Sequence, residues 1–154
     1  MSRQFAVVTT FNEQGLAAYG ERFLAAFAQH WPREVTLYAY HEGKKPDFQS
    51  DRIKYIDLEA SCPDLVAFKA RHADDKEVQG TLDDGDYGYR MDAVRFAHKI
   101  FALTHCALSI EAEVLFWLDA DSVSFADLPL SLLDQVMPEG VYTSYLGRPH
   151  TYSE

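Results

Sequence analysis

FWLDADSVSF, residues 116–125, closes an unbroken apolar run with two aspartates set one residue apart. Residues 114–118, Val-Leu-Phe-Trp-Leu, read as a buried strand, and Asp119 and Asp121 arrive where that strand ends. Three chemistries use such a pair: a clamp for a metal and a nucleotide, a phosphatase nucleophile, or plain solvation of an acidic strand end. The place of this strand among the others decides the architecture and discriminates between the three.

Upstream, FAVVTT at 5–10 is β-branched and nearly all apolar, as expected of a strand covered on both faces. Leu16, Tyr19, Phe23 and Phe27 then recur at helical spacing, predicting a helix over 13–30 that Trp31-Pro32 ends. Strands follow at 34–40 and 53–58, with a short helix at 63–73 whose first turn holds Pro63. Residues 74–89, DDKEVQGTLDDGDYGY, read as a mobile loop, and their DDGD places ligands and glycine at the wrong offsets for a calcium loop. The longest helix is predicted over 90–108 and the motif strand over 113–118. A short helix at 128–136 and a fifth strand at 141–146 follow. The motif thus closes the fourth strand. Strands alternating with helices predict an α/β fold, a Rossmann-like three-layer α/β/α sandwich with a mainly parallel sheet. In such sheets ligands bind beyond the carboxyl ends of the strands, where strand order reverses. An order 3-2-1-4 sets the turn Thr9, Thr10, Phe11, Asn12 beside Asp119 and Asp121.

The 154 residues suit one domain, and 47% apolar with 14% aromatic content argues against extended disorder. Acidic residues outnumber basic ones 24 to 14, for a net charge of -10. That balance excludes a nucleic-acid backbone or an anionic membrane surface as the expected partner. An anionic ligand would need placed cations or a metal ion to reverse the local field. Cys62 and Cys106 form one bridge at most and read as buried free thiols of a reducing compartment. No run reaches the roughly 18 apolar residues of a membrane span, and the run in MSRQFAVVTTF is too short for a signal peptide. The expectation is a soluble, cytoplasmic protein with no membrane span.

Two carboxylates at a turning strand end can share a divalent cation, and hard oxygen ligands select Mg²⁺ or Mn²⁺. Such an ion bridges to a diphosphate and acts as a Lewis acid when that group leaves. The phosphatase reading rests on Asp119-Ala120-Asp121-Ser122-Val123, which matches the Asp-X-Asp-X-Thr/Val string of haloacid-dehalogenase-type phosphatases. In those enzymes the string closes the first strand and further motifs follow well downstream; here it closes the fourth.

The N-terminal strand ending in Thr9-Thr10-Phe11-Asn12, the helix RMDAVRFAHKIFAL and the segment FWLDADSV together resemble the GT-A-fold glycosyltransferases, the nucleotide-diphospho-sugar transferases. The resemblance spans nearly the whole chain. It implies a transferase that moves a sugar from a nucleotide-diphosphate donor to an unknown acceptor. It also implies that Asp119 and Asp121 hold Mn²⁺ or Mg²⁺ against the donor diphosphate and that Thr9 to Asn12 line the nucleoside pocket. GT-A enzymes usually run longer, so the resemblance implies the expectation that residues 1–154 are a single nucleotide-sugar-binding domain, the N-terminal donor-binding part of a longer GT-A-like domain. The alternative on that ground is a non-catalytic nucleotide-sugar-binding or assembly module. An unfinished sheet edge would call for an oligomeric partner or the missing C-terminal segment.

Asp92, Arg95 and Lys99 fall within about 60° of arc on the long helix. Ala93, Phe96, Ala97, Ile100, Leu103 and Ala107 form the expected core stripe on another side. Arg95 and Lys99 are therefore candidates for the diphosphate, one offering a planar fork and the other a point charge. The alternative is an Asp92–Arg95 surface pair with a solvated Lys99. His98 and His105 read as structural, and Tyr87, Tyr89, Tyr142 and Tyr145 as core or rim aromatics. Arg148, His150 and Glu154 follow the fifth strand and are the candidates for an acceptor site or catalytic base.

Overall fold

A computed structural model of the chain describes residues 3–144. It begins with β1 (Phe5–Phe11), α1 (Glu13–Gly15), a π-helical turn (Leu16–Gly20) and α2 (Glu21–His30). Then come β2 (Thr36–His41), β3 (Ile53–Asp57), α3 (Leu58–Ser61) and α4 (Pro63–Arg71). A hairpin of β4 (Gln79–Thr81) and β5 (Tyr87–Asp92) leads into α5 (Ala93–Ser109), β6 (Val114–Trp117) and α6 (Leu130–Val136). The main sheet has the order β3-β2-β1-β6, and every neighbour pair is parallel.

β1 is central, which explains its composition. Strands flank both its edges and helices cover both its faces, so Phe5 to Thr9 and Phe11 are all buried. Phe5, Val7 and Phe11 pack with Phe23, Leu24 and Phe27 of α2 and Leu133 of α6. On the opposite face Val8 joins Tyr40, Leu58, Leu65 and the α5 residues Ala97, Ala102 and Cys106. The fold is therefore α/β, a four-stranded parallel sheet flanked by helices, consistent with a Rossmann-like arrangement. Cys62 and Cys106 are buried free thiols, and no helix among the described residues is long and apolar enough to cross a membrane.

The structure departs from the sequence reading in four places. Residues 74–89 include strand rather than loop alone: β4 pairs antiparallel with β5 around a turn closed by Leu82 N–H to the Asp86 carbonyl at 2.8 Å. Backbone pairing holds this ribbon, and its side chains are mostly exposed, so no apolar alternation announces it. Arg90, Met91 and Asp92 belong to β5, and the helix starts only at Ala93 because the Asp92 carboxylate caps it by accepting the Arg95 N–H at 2.8 Å. The core stripe of α5 is also rotated. Ala97, Ala102 and Cys106 face the sheet, whereas Phe96 and Ile100 are 45% and 58% exposed and Ala93 and Ala107 are exposed. Small side chains let the helix approach closely, and a helix apolar on most sides carries no unique periodicity. Finally, Val141 to Ser144 form no strand, and the remainder of the segment at 141–146 lies outside the described residues.

Two sets of bonds fix the motif at the end of β6. The β1–β6 ladder ends with Val8 opposite Trp117, after which the Leu118 N–H reaches the Val8 carbonyl at 3.1 Å. The buried Thr9 hydroxyl then donates to the Leu118 carbonyl at 2.7 Å. Beyond the motif, the loop returns to the end of α2. Trp31 Nε1 donates to Ser124 Oγ at 2.9 Å, His30 Nδ1 lies 2.8 Å from Asp127 Oδ1, and Leu128 N–H donates to the His30 carbonyl at 2.8 Å.

Thr9→Val keeps the shape and removes the donor, leaving the Leu118 carbonyl without that partner. It is expected to lower stability in urea unfolding by about 1–2 kcal/mol. An unchanged midpoint would show that this hydroxyl does not hold the motif strand.

Candidate functional site

A crevice of about 740 Å³ opens at the carboxyl ends of β1 and β6, a volume suited to a small-molecule ligand. One wall is the turn from β1 into α1, contributing Thr10, Phe11 and Asn12. Asn12 caps that helix, its Oδ1 accepting the Gly15 N–H at 2.7 Å. Gly15 keeps the corner tight, since an added Cβ would sit 2.5 Å from the Tyr19 hydroxyl. Tyr19 itself lines the crevice from the π-helical turn. π-turns of this kind often occur at functional sites. The facing wall carries Arg95, His98 and Lys99 of α5, with Tyr87 and Tyr89 of β5 at its rim.

Asp119 and Asp121 lie on the tight turn that follows β6, beside Ala120, which is buried. The turn is closed by Ser122 N–H donating to the Asp119 carbonyl at 2.9 Å. Asp119 Oδ1 carries two donors: Trp117 Nε1 at 2.7 Å and Lys99 Nζ at 3.2 Å. The same ammonium stands 4.6 Å from the centre of the Trp117 ring, a cation–π distance. Arg95 reaches over the Tyr89 ring at 5.8 Å. Among the lining residues four carboxylates, Glu42, Asp92, Asp119 and Asp121, face two cations, Arg95 and Lys99. That balance leaves the crevice electronegative, so a bound anion would need further positive charge.

At the inner end, Glu42 follows β2 and is held there by its N–H, which donates to the Phe11 carbonyl at 3.1 Å. Its carboxylate is 3.3 Å from His98 Nδ1. Two buried polar atoms of the crevice wall, Thr10 Oγ1 and His98 Nε2, have no hydrogen-bond partner. Buried unpaired groups are rare in folded proteins and each is a place where a ligand or water is expected to bond. Burial pushes the His98 imidazole below its ordinary pKa; Glu42 opposes that shift and Lys69 reinforces it. Burial thus favours the neutral ring, whose Nε2 atom is left without a partner in the crevice wall.

Of the residues named from sequence, Thr10, Phe11, Asn12, Arg95, Lys99, Asp119 and Asp121 all line this one crevice. Thr9 does not, because it is fully buried and its hydroxyl is occupied by Leu118. The Asp92–Arg95 side-chain pair does not form either: Asp92 bonds the Arg95 backbone and accepts the Tyr87 hydroxyl at 2.8 Å. His105 is structural as expected, with Nδ1 at 2.7 Å from the Tyr40 hydroxyl. His98, which the sequence reads as structural, stands in the crevice wall, and Glu42, which is not among the residues named from sequence, lines it as well. Arg148, His150, Glu154 and Tyr145 lie outside the described residues, while Tyr142 is fully exposed.

Among the described residues no group of three or more His, Cys, Asp and Glu side chains forms a metal cage. The donor set still fits one class of ion. Mg²⁺ and Mn²⁺ are commonly held by one or two carboxylates, with phosphate oxygens and water completing the shell. Asp119 and Asp121 supply that number. Compared with protein-family models, with curated proteins and with solved structures, the chain matches none.

The lowered His98 pKa has a signed consequence for stability. The unfolded chain takes up this proton before the folded one, so the contribution is fully present above the unfolded value and declines as pH falls through it. His98→Gln should therefore lose less melting temperature than the wild type between about pH 7.5 and about pH 5.5, a window spanning the unfolded His pKa of about 6.5. Glu42, Glu59, Lys69 and Asp92, the charged groups acting on His98, are unchanged between the two proteins. Equal losses would show that His98 protonates freely in the fold.

Proposed function

We propose that the chain is the donor-binding part of a metal-dependent, GT-A-like glycosyltransferase that takes a nucleotide-diphospho-sugar and passes its sugar to an acceptor. The observation that carries this reading is convergence. The β1 turn, the cationic face of α5 and the Asp119–Asp121 turn meet in one crevice at the carboxyl ends of β1 and β6. Strand order reverses there, which is where open parallel sheets bind their ligands. Each wall has chemistry suited to one portion of such a donor. The Thr10–Asn12 turn, with the unpaired Thr10 and His98 atoms nearby, suits a nucleoside that brings its own donors and acceptors. Arg95 offers a planar fork, and Lys99 a point charge, to a diphosphate. Tyr87 and Tyr89 present rings at the rim on which a flat or partly apolar ring can stack.

Asp119 and Asp121 would hold Mn²⁺ or Mg²⁺, which when bound neutralises charge on the leaving diphosphate. The excess of carboxylates in the crevice supports that assignment, since it makes an anion unwelcome without an added cation. The protein's own contribution is to fix the two acids on a short turn, anchored at its near side by Thr9 and at its far side by the end of α2.

Calorimetric titration with uridine, guanosine, adenosine and cytidine diphosphates tests the reading. Binding of at least one of them is expected to require Mn²⁺ or Mg²⁺ and to be abolished by Asp119→Ala with Asp121→Ala. Metal-independent binding, or binding untouched by the double substitution, contradicts it. Arg95→Ala should weaken metal-dependent binding by about 10- to 100-fold, the loss of a charge-assisted hydrogen bond, with the melting temperature unchanged.

A further inference from the structure

Asp119 and Asp121, although adjacent on one turn, are not equivalent. Among the described residues no hydrogen bond or ion pair engages the Asp121 side chain, whereas Asp119 Oδ1 already carries the Lys99 ammonium and the Trp117 indole. Lys99 thus stands where a cation is wanted. We propose that Lys99 is an internal counter-ion of Asp119 that makes the crevice select a metal–diphosphate complex over free metal and over free diphosphate. This inference rests on the metal-dependent donor reading above and assigns the residue that sets its ligand preference.

Each half of the selection follows from a contact. Against free metal, the Asp119–Asp121 turn presents two carboxylates, one of them already paired with an ammonium, and no group of three or more His, Cys, Asp and Glu side chains forms a metal site among the described residues. A divalent ion arriving alone meets the Lys99 ammonium 3.2 Å from Asp119 Oδ1 and is opposed by that like charge. Against free diphosphate, Lys99 is held by Asp119, while four carboxylates repel the anion. With cation and diphosphate together both charges would be met: Asp119 and Asp121 would hold the metal, and the Lys99 ammonium would be free to pair with a phosphate oxygen.

The Lys99–Asp119 pair is suited to that exchange. The two side chains are 38% and 62% exposed, and ion pairs in such surroundings are weak. Lysine is a point charge on a flexible stem, so it can move between partners, whereas the planar guanidinium of arginine is tied to one geometry. Trp117 keeps its own bond to Asp119 Oδ1 and so orients the carboxylate through the change. Because the ammonium lies over its ring, Trp117 also reports the exchange optically.

The test uses the full chain, wild type and Lys99→Met, with Lys99→Arg retaining the charge. Each is titrated with MnCl₂ alone, with the four nucleoside diphosphates alone, and with MnCl₂ plus each diphosphate, read by calorimetry and by tryptophan emission. In wild type, Mn²⁺ alone is expected to bind weakly, and the Mn²⁺–diphosphate complex to bind far more tightly with a change in emission that Trp117→Phe removes. Lys99→Met should bind Mn²⁺ alone about 5- to 10-fold more tightly and the complex about 10-fold more weakly, so the preference shrinks from both sides. Lys99→Arg should bind Mn²⁺ alone as weakly as wild type. If Lys99→Met leaves the affinity for Mn²⁺ alone unchanged while wild type still binds the complex through Asp119 and Asp121, the counter-ion role is overturned and the donor reading stands. Should wild type bind the complex no better than diphosphate alone, both are overturned.

Discussion

Everything proposed for this chain depends on the pairing of β6 with β1. Four parallel register pairs, from Phe5–Val114 to Val8–Trp117, set the end of β6 against Val8, three residues before β1, the most buried strand among the described residues, ends at Phe11. The Thr9 hydroxyl extends that ladder by one residue, and the next residue is Asp119. A register slipped by one would invert every side chain of β6 between the two cores. Phe116, which stacks with Phe5, and Trp117, which bonds Asp119, would exchange faces. The acidic turn is therefore placed by hydrophobic packing well below it.

The same pairing creates the electrostatic character of the crevice. Parallel strands deliver their carboxyl ends to one side, and here those ends carry Glu42, Asp119 and Asp121. α5 runs back over β1 and supplies the opposing charge from Arg95 and Lys99. Asp92 starts that helix and also receives Tyr87, so the hairpin and the helix are locked together where their aromatic and cationic side chains face the ligand space. A site with mixed charge of this kind satisfies part of itself, as the Lys99–Asp119 contact does, and leaves part unsatisfied, as Thr10 Oγ1 and His98 Nε2 do.

Much of this was legible in the sequence because parallel strands buried on both faces are short apolar runs. Residues 5–10 and 114–118 announce themselves, and the assumed order 3-2-1-4, which the sheet adopts as β3-β2-β1-β6, sets which ends meet. Asp119 and Asp121 were legible for the same reason, being acids at the end of such a run, whereas Arg95 and Lys99 stood out as the cations sharing one arc of the helix that precedes it. The hairpin was not, since a ribbon exposed on both sides needs no alternation. Nor was the face of α5: Phe96 and Ile100 are large and apolar yet exposed, while small Ala97, Ala102 and Cys106 make the contact with the sheet. His98 was missed because a lone histidine on an apolar helix usually belongs to the core. Its position one turn after Arg95 and next to Lys99 was the available signal. Glu42 had a comparable one, as an acid immediately after a strand whose carboxyl end faces the crevice. Thr9 erred the other way, for two threonines in succession at a strand end look alike in sequence, and only the alternation of faces separates the strut from the lining residue.

The central claim is that a metal and a nucleoside diphosphate bind together at the Asp119–Asp121 turn. Paramagnetic broadening of backbone amide signals by Mn²⁺ reports position directly. With nucleoside diphosphate present, the amides of Ala120 and Asp121 should be lost first and those of Asn12 and Lys99 attenuated, while Ile110 and Glu111 at the opposite end of the sheet remain sharp. Broadening centred instead on the acidic hairpin turn at 83–86, or identical with and without diphosphate, would contradict it.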